Sequence, residues 1–504
     1  MFDGLIEGLG LILHVQGLIM LALGVLVGLV FGAVPGLGGT TAIALLIPIT
    51  YSMQPEDAMA LAGGIMGAVA FGGSISAILL NTPGTAMNAA TTFDGYPLAQ
   101  QGKSGMAIGA AGTASSLGGV FGILILVAIV PIAKELVLAF APPEFFMLAL
   151  LGLAAIAAST GGMFLRGLIA GAAGLIMAFV GYDAVSGGER FVFGVEYLFD
   201  GIPLVPTLIG LFAIAEMIRL SIEGGTVVRT KEFSGRIVGV WDGVRAVPRH
   251  WPTVLRGSAL GAFIGAVPGV GGTVASFLAY TMAQQVSKTP EKFGTGHIQG
   301  VIAPESANNA KDGGALIPTL AFGIPGSAEM AVFLGLLVLH GLEPGPLLLI
   351  EHEGVMFSLI VALTISCILS TIIGLAAARW LSLITLVDVH ILVPAVTAVS
   401  LVGAYALDGK IEDVAMTVIA GILGYLMIKF RFPRVTMVIA LVLGDLAERS
   451  FHQTMQITDN DWSVFVTRPI SLILFLLVII SLLMPALRLY LARRRGELAE
   501  EEGA

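Results

Sequence analysis

The chain has 504 residues, 56% of them hydrophobic and 12% charged, with a mean hydropathy of +0.95 and a net charge of −9, where an ordinary soluble domain carries about 25% charged residues. That composition excludes a soluble globular protein and describes an integral membrane protein. Apolar runs such as 64–80 and 469–487 approach or reach the roughly 18 to 20 residues that cross a bilayer as helix, recur from end to end, and lack the short alternation of a membrane β-barrel. The expected fold is an all-α polytopic membrane protein.

At the N-terminus, "MFDGLIEGLG" places Asp3 and Glu7 where a cleavable signal carries Lys or Arg, so the first helix is expected to be retained. The next run is interrupted by "FGAVPGLGGT" at 31–40. Proline removes a backbone donor and glycine weakens a helix, so the helix is expected to open at Pro35 and restart with Thr40 near its N-cap. "NTPGTA" follows at 81–86 and a polar loop at Lys103.

An acidic stretch, 186–201, holds Glu189, Glu196 and Asp200, and the longest polar connection, 222–252, holds Arg229, Lys231, Arg236, Arg245 and Arg249. Lys and Arg favour the cytoplasmic side of short loops. This places 222–252, the "RRR" at 493–495 and the loops at Lys103, Arg166 and 429–434 inside, and the N-terminus and 186–201 outside. Much of the negative charge belongs to the tail "GELAEEEGA", read as a solvated end.

"IGAVPGVGGT" then returns at 264–273, matching eight of nine residues of "GAVPGLGGT" at an offset of 233 residues, and "GIPGSA" at 323–328 answers "NTPGTA" at an offset of 242. The helix entering the first motif runs outside to inside and the helix entering the second runs the other way. The predicted architecture is therefore two inverted structural repeats with broken, re-entrant helices, a design common among secondary transporters. The predicted divisions are a first membrane repeat at 1–221, a cytoplasmic loop at 222–252, a second repeat at 253–490 and a charged tail at 491–504. Helix starts after the two breaks, with Thr40 and Thr273 near their caps, present free N–H groups and a positive dipole end to an anion, which suits a substrate with several carboxylates. Gly38 and Gly271 are expected to let a backbone come close.

The stretch "PESANNAKDGG" at 304–314 reads as a polar break at membrane depth, with a surface loop as the alternative. Glu305 is the leading intramembrane carboxylate; it could take a proton, or with the oxygens of Asn308 and Asn309 help to hold sodium. Lys311 and Asp312 are expected to be solvated or paired with each other. Cys367 stands alone and reads as an inert buried thiol. The seven histidines form no HExxH and no Ser/His pair within one motif, and no GxxxxGK[ST] occurs, so neither nucleotide nor nucleic-acid binding is expected. A membrane-embedded enzyme and a passive anion channel are the rival classes. Inverted halves with central breaks favour alternating access over a channel.

"GAVPGLGGTTAIALLIP", "NTPGTA" with "DGYPLAQQGK", "RFVFGVEYLFDGIPLVPTLIGLFAIAEM" at 190–217, "GAVPGVGGTVASFLAY" and "APESANNA" with "GGALIPTLAFGIPGS" together resemble the large membrane subunit of the tripartite tricarboxylate transporters, the TctA-like family, over nearly the whole chain. The resemblance implies a multi-pass protein of the bacterial inner membrane that takes up citrate-like tricarboxylates, dicarboxylates or related acids by symport with sodium or protons, without a cofactor and without enzymatic activity. It also implies two partners, a small TctB-like membrane subunit and a TctC-like periplasmic solute-binding protein. The same resemblance assigns Gly36, Gly38, Gly39, Thr40, Asn81, Thr82, Gly84, Thr85, Gly269, Gly271, Gly272, Thr273, Gly326 and Ser327 to the substrate region, and Glu305, Asn308 and Asn309 to ion coupling.

Overall fold

The computed structural model describes residues 2–158, 164–183, 187–223, 237–384 and 387–495. Residues 224–236 of the expected connecting loop, including Arg229, Lys231 and Arg236, and residues 496–504 of the expected tail lie outside them. Among the described residues, helices account for nearly all regular structure, beside one two-stranded ladder pairing Gly181–Tyr182 with Glu189–Arg190. Among the described residues, seven helices are long and apolar enough to cross a membrane and five shorter ones are apolar, so the protein is a multi-pass helical membrane protein. The chain divides into two compact units, residues 1–135 with 205–425, and residues 136–204 with 426–504.

In the first unit the two copies of the sequence repeat build matching sets of four helices. The first set is α1 (Val15–Ala33), α2 (Gly38–Thr50), α3 (Pro55–Leu80) and α4 (Ala89–Gln100); the second is α5 (Trp251–Gly265), α6 (Gly271–Val286), α7 (Gln299–Phe322) and α8 (Ala328–Leu339). Both helices entering the motifs stop where the sequence reading put the break. Val34, held extended before Pro35 at ψ 113°, ends α1. Gly36 and Gly38 then adopt φ of 90° and 60°, and their counterparts Gly269 and Gly271 adopt 79° and 75°, a left-handed conformation open mainly to glycine. α3 and α7 also end alike, on left-handed Asn81 and Gly323.

The threonines do not cap. Leu37 and Val270 occupy the cap positions with no side-chain hydrogen bond, and Thr40 and Thr273 fall inside the first turn, because the left-handed glycines start each helix earlier than a Ser/Thr cap rule places it. "PESANNAKDGG" is neither a break nor a surface loop. It lies within the continuous α7 despite Pro304 and Pro318, and its residues are buried. Tertiary packing overrides the local signal here: Gly257, Gly261 and Gly265 of α5 press against the carbonyl oxygens of Ala303, Ala307 and Lys311, just as Gly24, Gly28 and Gly32 of α1 press against those of Leu61, Ile65 and Val69 in α3. Small residues one turn apart let helices approach at backbone distance.

In the second unit, the helix Arg434–Ile457 packs on Pro142–Ala158 and Phe164–Ala178, and Pro469–Arg495 packs on Pro142–Ala158. Glu144 is buried and accepts hydrogen bonds from Arg468 Nε at 2.7 Å and Ser471 Oγ at 2.6 Å. Phe146, Phe451, Trp462 and Phe465 form an aromatic cluster beside it.

Candidate functional site

The two PGxGG turns are each pinned by the downstream proline–glycine turn of their own repeat. Gly36 donates its N–H to the Gly84 carbonyl at 3.4 Å, and Gly269 donates to the Gly326 carbonyl at 3.1 Å. Gly84 in turn donates to the Gly73 carbonyl at 3.3 Å, while Thr85 donates through Oγ1 to Asn88 Oδ1 at 2.6 Å and Thr82 to the Leu80 carbonyl at 3.2 Å. Ser327 caps α8 by accepting from the Met330 N–H at 3.3 Å.

Across the repeats the contacts are reciprocal. Gly39, in the first turn of α2, lies against the Glu329 carboxylate of α8, and Gly272, in the first turn of α6, lies against Met87 ahead of α4. Gly39 and Gly272 are equivalent at the 233-residue offset, and Met87 and Glu329 at the 242-residue offset. The crowding therefore falls on Gly39 and Gly272. A Cβ at Gly38 would make only an ordinary 3.6 Å contact with Thr85 and one at Gly271 would meet nothing within 4 Å, so those two glycines serve their positive φ and not a close approach.

Between the two helix starts lies a buried ionic triad. Lys311 Nζ meets Asp312 Oδ1 at 2.5 Å and Glu329 Oε2 at 2.6 Å, with Lys311 2% exposed. The Lys311 stem also passes beside Gly272, so one ion pair touches both motifs. Lys311 and Asp312 are paired, as expected, but buried instead of solvated. Two carboxylates against one ammonium leave one negative charge in excess, and a buried unbalanced charge costs several kcal/mol, on the order of 3–5 kcal/mol when a pair is broken.

Glu305 sits a turn and a half earlier on α7, fully buried, with hydroxyl donors as its partners: Ser74 Oγ at 2.6 Å and Thr91 Oγ1. Asn88 Nδ2 donates to Ser74 Oγ at 2.9 Å and to the Ala70 carbonyl at 2.9 Å. A continuous hydrogen-bonded chain thus links Thr85 of the first proline–glycine turn through Asn88 and Ser74 to Glu305. Asn309 donates to the Ser115 carbonyl at 3.2 Å and lies 3.5 Å from the sulfur of Cys367, which is buried and free as expected. Its Oδ1, and both side-chain polar atoms of the buried Asn308, have no hydrogen-bond partner among the described residues. Such orphaned groups call for a bound water, ion or ligand.

Several polar residues here were not singled out from sequence. Glu329 directly follows "GIPGSA", and its signal was the 242-residue offset that pairs it with Met87. Ser74, Asn88 and Thr91 are small polar residues in apolar runs, with no pattern to mark them. Arg219 and Glu216 form an ion pair whose ends lie against Gly36, delivered by the helical segment Leu204–Glu223 after a π-helical stretch at Ile209–Ile214; such bulges are frequent at functional sites. Asp94, in "DGYPLAQQGK", accepts from the N–H groups of Gly294, Gly296 and His297 at 2.9, 2.8 and 2.7 Å through Oδ1, and from Tyr280 Oη at 2.9 Å through Oδ2. In the second unit Asp183, Glu448 and His452 cluster closely enough to hold a metal, but Arg190 pairs with both carboxylates there and already supplies them with a cation.

Two broken helices whose starts are bridged by a buried ionic triad, in a multi-pass helical protein without an ATPase motif, define a transporter-like membrane protein. The chain belongs to the tripartite tricarboxylate transporter TctA family, whose model matches residues 18–439. It is 35% identical over 470 residues, covering 92% of this chain and 93% of the relative, to an uncharacterized 52.8 kDa protein in the TAR-I ttuC' 3' region of Agrobacterium vitis. It is 34% identical over 232 residues, 45% of this chain and 96% of the relative, to an uncharacterized protein in the TAR-II ttuC' 3' region of the same organism. No solved structure matches it.

Proposed function

We propose that the protein is the large membrane subunit of a tripartite system that takes up di- or tricarboxylates across the bacterial inner membrane by ion symport, working with a small membrane subunit and a periplasmic binding protein, and that it is neither an enzyme nor a channel. The observation that carries this reading is the reciprocal contact of Gly39 with Glu329 and of Gly272 with Lys311 and Met87. Substrate carboxylates bind at the starts of α2 and α6, where uncapped N–H groups and the helix dipoles favour negative charge. Lys311 is the cation within reach of both turns.

Inverted repeats support alternating access, and side-chain pairs at the helix starts favour the inversion. His14 at the start of α1 pairs with Asp57 at the start of α3 at 3.1 Å, and Thr253 in α5 accepts from Gln299 at the start of α7 at 2.9 Å. The helix Ser104–Leu138 begins near the second pair, beside Lys103 and its cavity neighbours Thr253 and Gln299. It carries Lys134 to within 3.5 Å of Glu353, which itself adjoins Gly4 near the chain start. At about 1.5 Å of rise per residue, the helix from Ser104 to Lys134 is long enough to span a membrane, which supports opposite sides for the starts of the two helix sets.

The excess negative charge of Asp312, Lys311 and Glu329 is balanced by the coupling ion, a proton or sodium. Glu305, with no cation beside it among the described residues, is a second locus for the same ion, and hydroxyl and amide oxygens around it suit sodium. The test is radiolabelled citrate uptake into vesicles holding this chain, its small subunit and a loaded binding protein, with sodium and pH gradients imposed separately. Wild type concentrates substrate under one gradient and only with the binding protein. Glu329→Gln, which removes the excess charge and leaves Lys311 paired with Asp312, lowers gradient-driven uptake about tenfold or more while exchange persists. Glu305→Gln weakens the apparent sodium affinity if sodium is the ion, or flattens the pH response if the ion is a proton. Uptake by both variants with unchanged ion dependence would sink the coupling assignment.

A further inference from the structure

The geometry points to a second anion site, separate from the helix-start region: a cavity of about 810 Å³ whose charged lining is entirely basic, built to hold a multivalent oxyanion. Lys103 follows α4, Arg249 and His250 precede α5, Arg256 stands one turn into α5, Lys288 follows α6 and His297 precedes α7, and all six line it. Among the described residues, none of the four Lys and Arg side chains has an ion-pair partner and no carboxylate lines the wall. The volume lies in the range of small-molecule sites, roughly 300–1,000 Å³. A concave wall of one sign focuses its field onto a bound counter-charge, and the two guanidinium groups offer forked donors that match carboxylate or phosphate oxygens.

The cavity is held in shape. Asp94 stands behind the wall with Oδ1 spent on the N–H groups of Gly294, Gly296 and His297, so it fixes the loop. Gln101 donates to the Thr295 carbonyl at 2.7 Å, and Gln299 to Thr253 Oγ1 at 2.9 Å. His250 Nδ1 lies 2.9 Å from the Ala246 carbonyl; a carbonyl only accepts, so Nδ1 carries the proton and the ring orientation is set. A monovalent anion would leave most of this charge unmatched, so the ligand carries two or more negative charges. It is a soluble polycarboxylate or phosphate on the loop face, or the headgroup of an anionic lipid. The site does not depend on the uptake reading.

The experiment uses the full chain in nanodiscs of phosphatidylcholine, titrated calorimetrically with pyrophosphate at low ionic strength. A parallel sample in discs containing phosphatidylglycerol is analysed by native mass spectrometry for retained lipid. Wild type binds one equivalent of soluble polyanion, or retains the anionic lipid, and Arg249→Gln/Lys288→Gln weakens that binding at least about tenfold. Lys410→Gln, which does not line the cavity, leaves it unchanged. Raising ionic strength to about 0.5 M weakens binding as screening shortens. Soluble binding without lipid retention assigns an aqueous ligand, and the reverse assigns a lipid. Equal binding by the cavity variant and wild type, or neither ligand held by wild type, overturns the proposal.

Discussion

Asp94 ties the loop 293–297 to α4 largely through one oxygen atom, three N–H groups converging on Oδ1 while Tyr280 satisfies Oδ2. Hydrogen bonds to a charged acceptor are each worth about 1.5–3 kcal/mol, but this loop is only part-buried and water replaces some of what is lost. Asp94→Ala is therefore expected to cost about 2–3 kcal/mol of stability, and Tyr280→Phe about 1 kcal/mol, by denaturant titration in micelles. An Asp94→Ala protein as stable as wild type would remove the clamp. His297, on the same loop, has its pKa lowered, chiefly by burial and against the opposing pull of Asp94. The unfolded chain then binds a proton at higher pH than the folded one, so stability is complete above about 6.5, the unperturbed value, and falls as pH drops below it. Melting curves from pH 5 to about 8 read this slope, and His297→Gln flattens it.

At the scale of helices, the glycines that carry close packing are separable from those that do not. A Cβ on Gly28 would lie 2.6 Å from the Ile65 carbonyl oxygen, and one on Gly261 inside the radius of the Ala307 carbonyl, whereas one on Gly10 meets nothing within 4 Å. Gly28→Ala and Gly261→Ala each push a helix off its partner and should cost about 1–3 kcal/mol; Gly10→Ala should be neutral or gain up to about 1 kcal/mol through helix propensity. Thermal unfolding followed by size-exclusion chromatography distinguishes them, and equal losses in all three would refute the packing argument. This pattern also explains what the sequence reading could see. The breaks at Pro35 and Pro268 were legible because proline and clustered glycine act locally. The continuity of α7 was not, because Glu305, Asn308, Lys311 and Asp312 look like a loop until α5 and their buried partners are in place.

For the molecule as a whole, the sequence disclosed the two repeats through their proline–glycine motifs, but not the partners each motif meets. Glu329 answers Met87 in register while differing in charge, so no match of residue types could reveal the pairing, and the compact units join segments from both halves that lie far apart in sequence. The proposed inversion makes a direct prediction. Gln101 and Glu343 are equivalent at the 242-residue offset, so single cysteines at these positions, in a Cys367→Ser background, should react with an impermeant thiol reagent from opposite sides of the membrane. Reaction from one side would make the repeats parallel.

The exchange of contacts between the halves also sets a timetable for synthesis. α2 finds part of its cover on α8, so the first broken helix is made 290 residues before Glu329, and at roughly 5–20 residues per second it waits on the order of 15–60 s for that contact. During that interval a glycine-rich kink still without its Glu329 contact stands in the lipid or the insertion machinery. The early half must be sheltered until the late half arrives, which makes the order of synthesis part of how this protein reaches its fold.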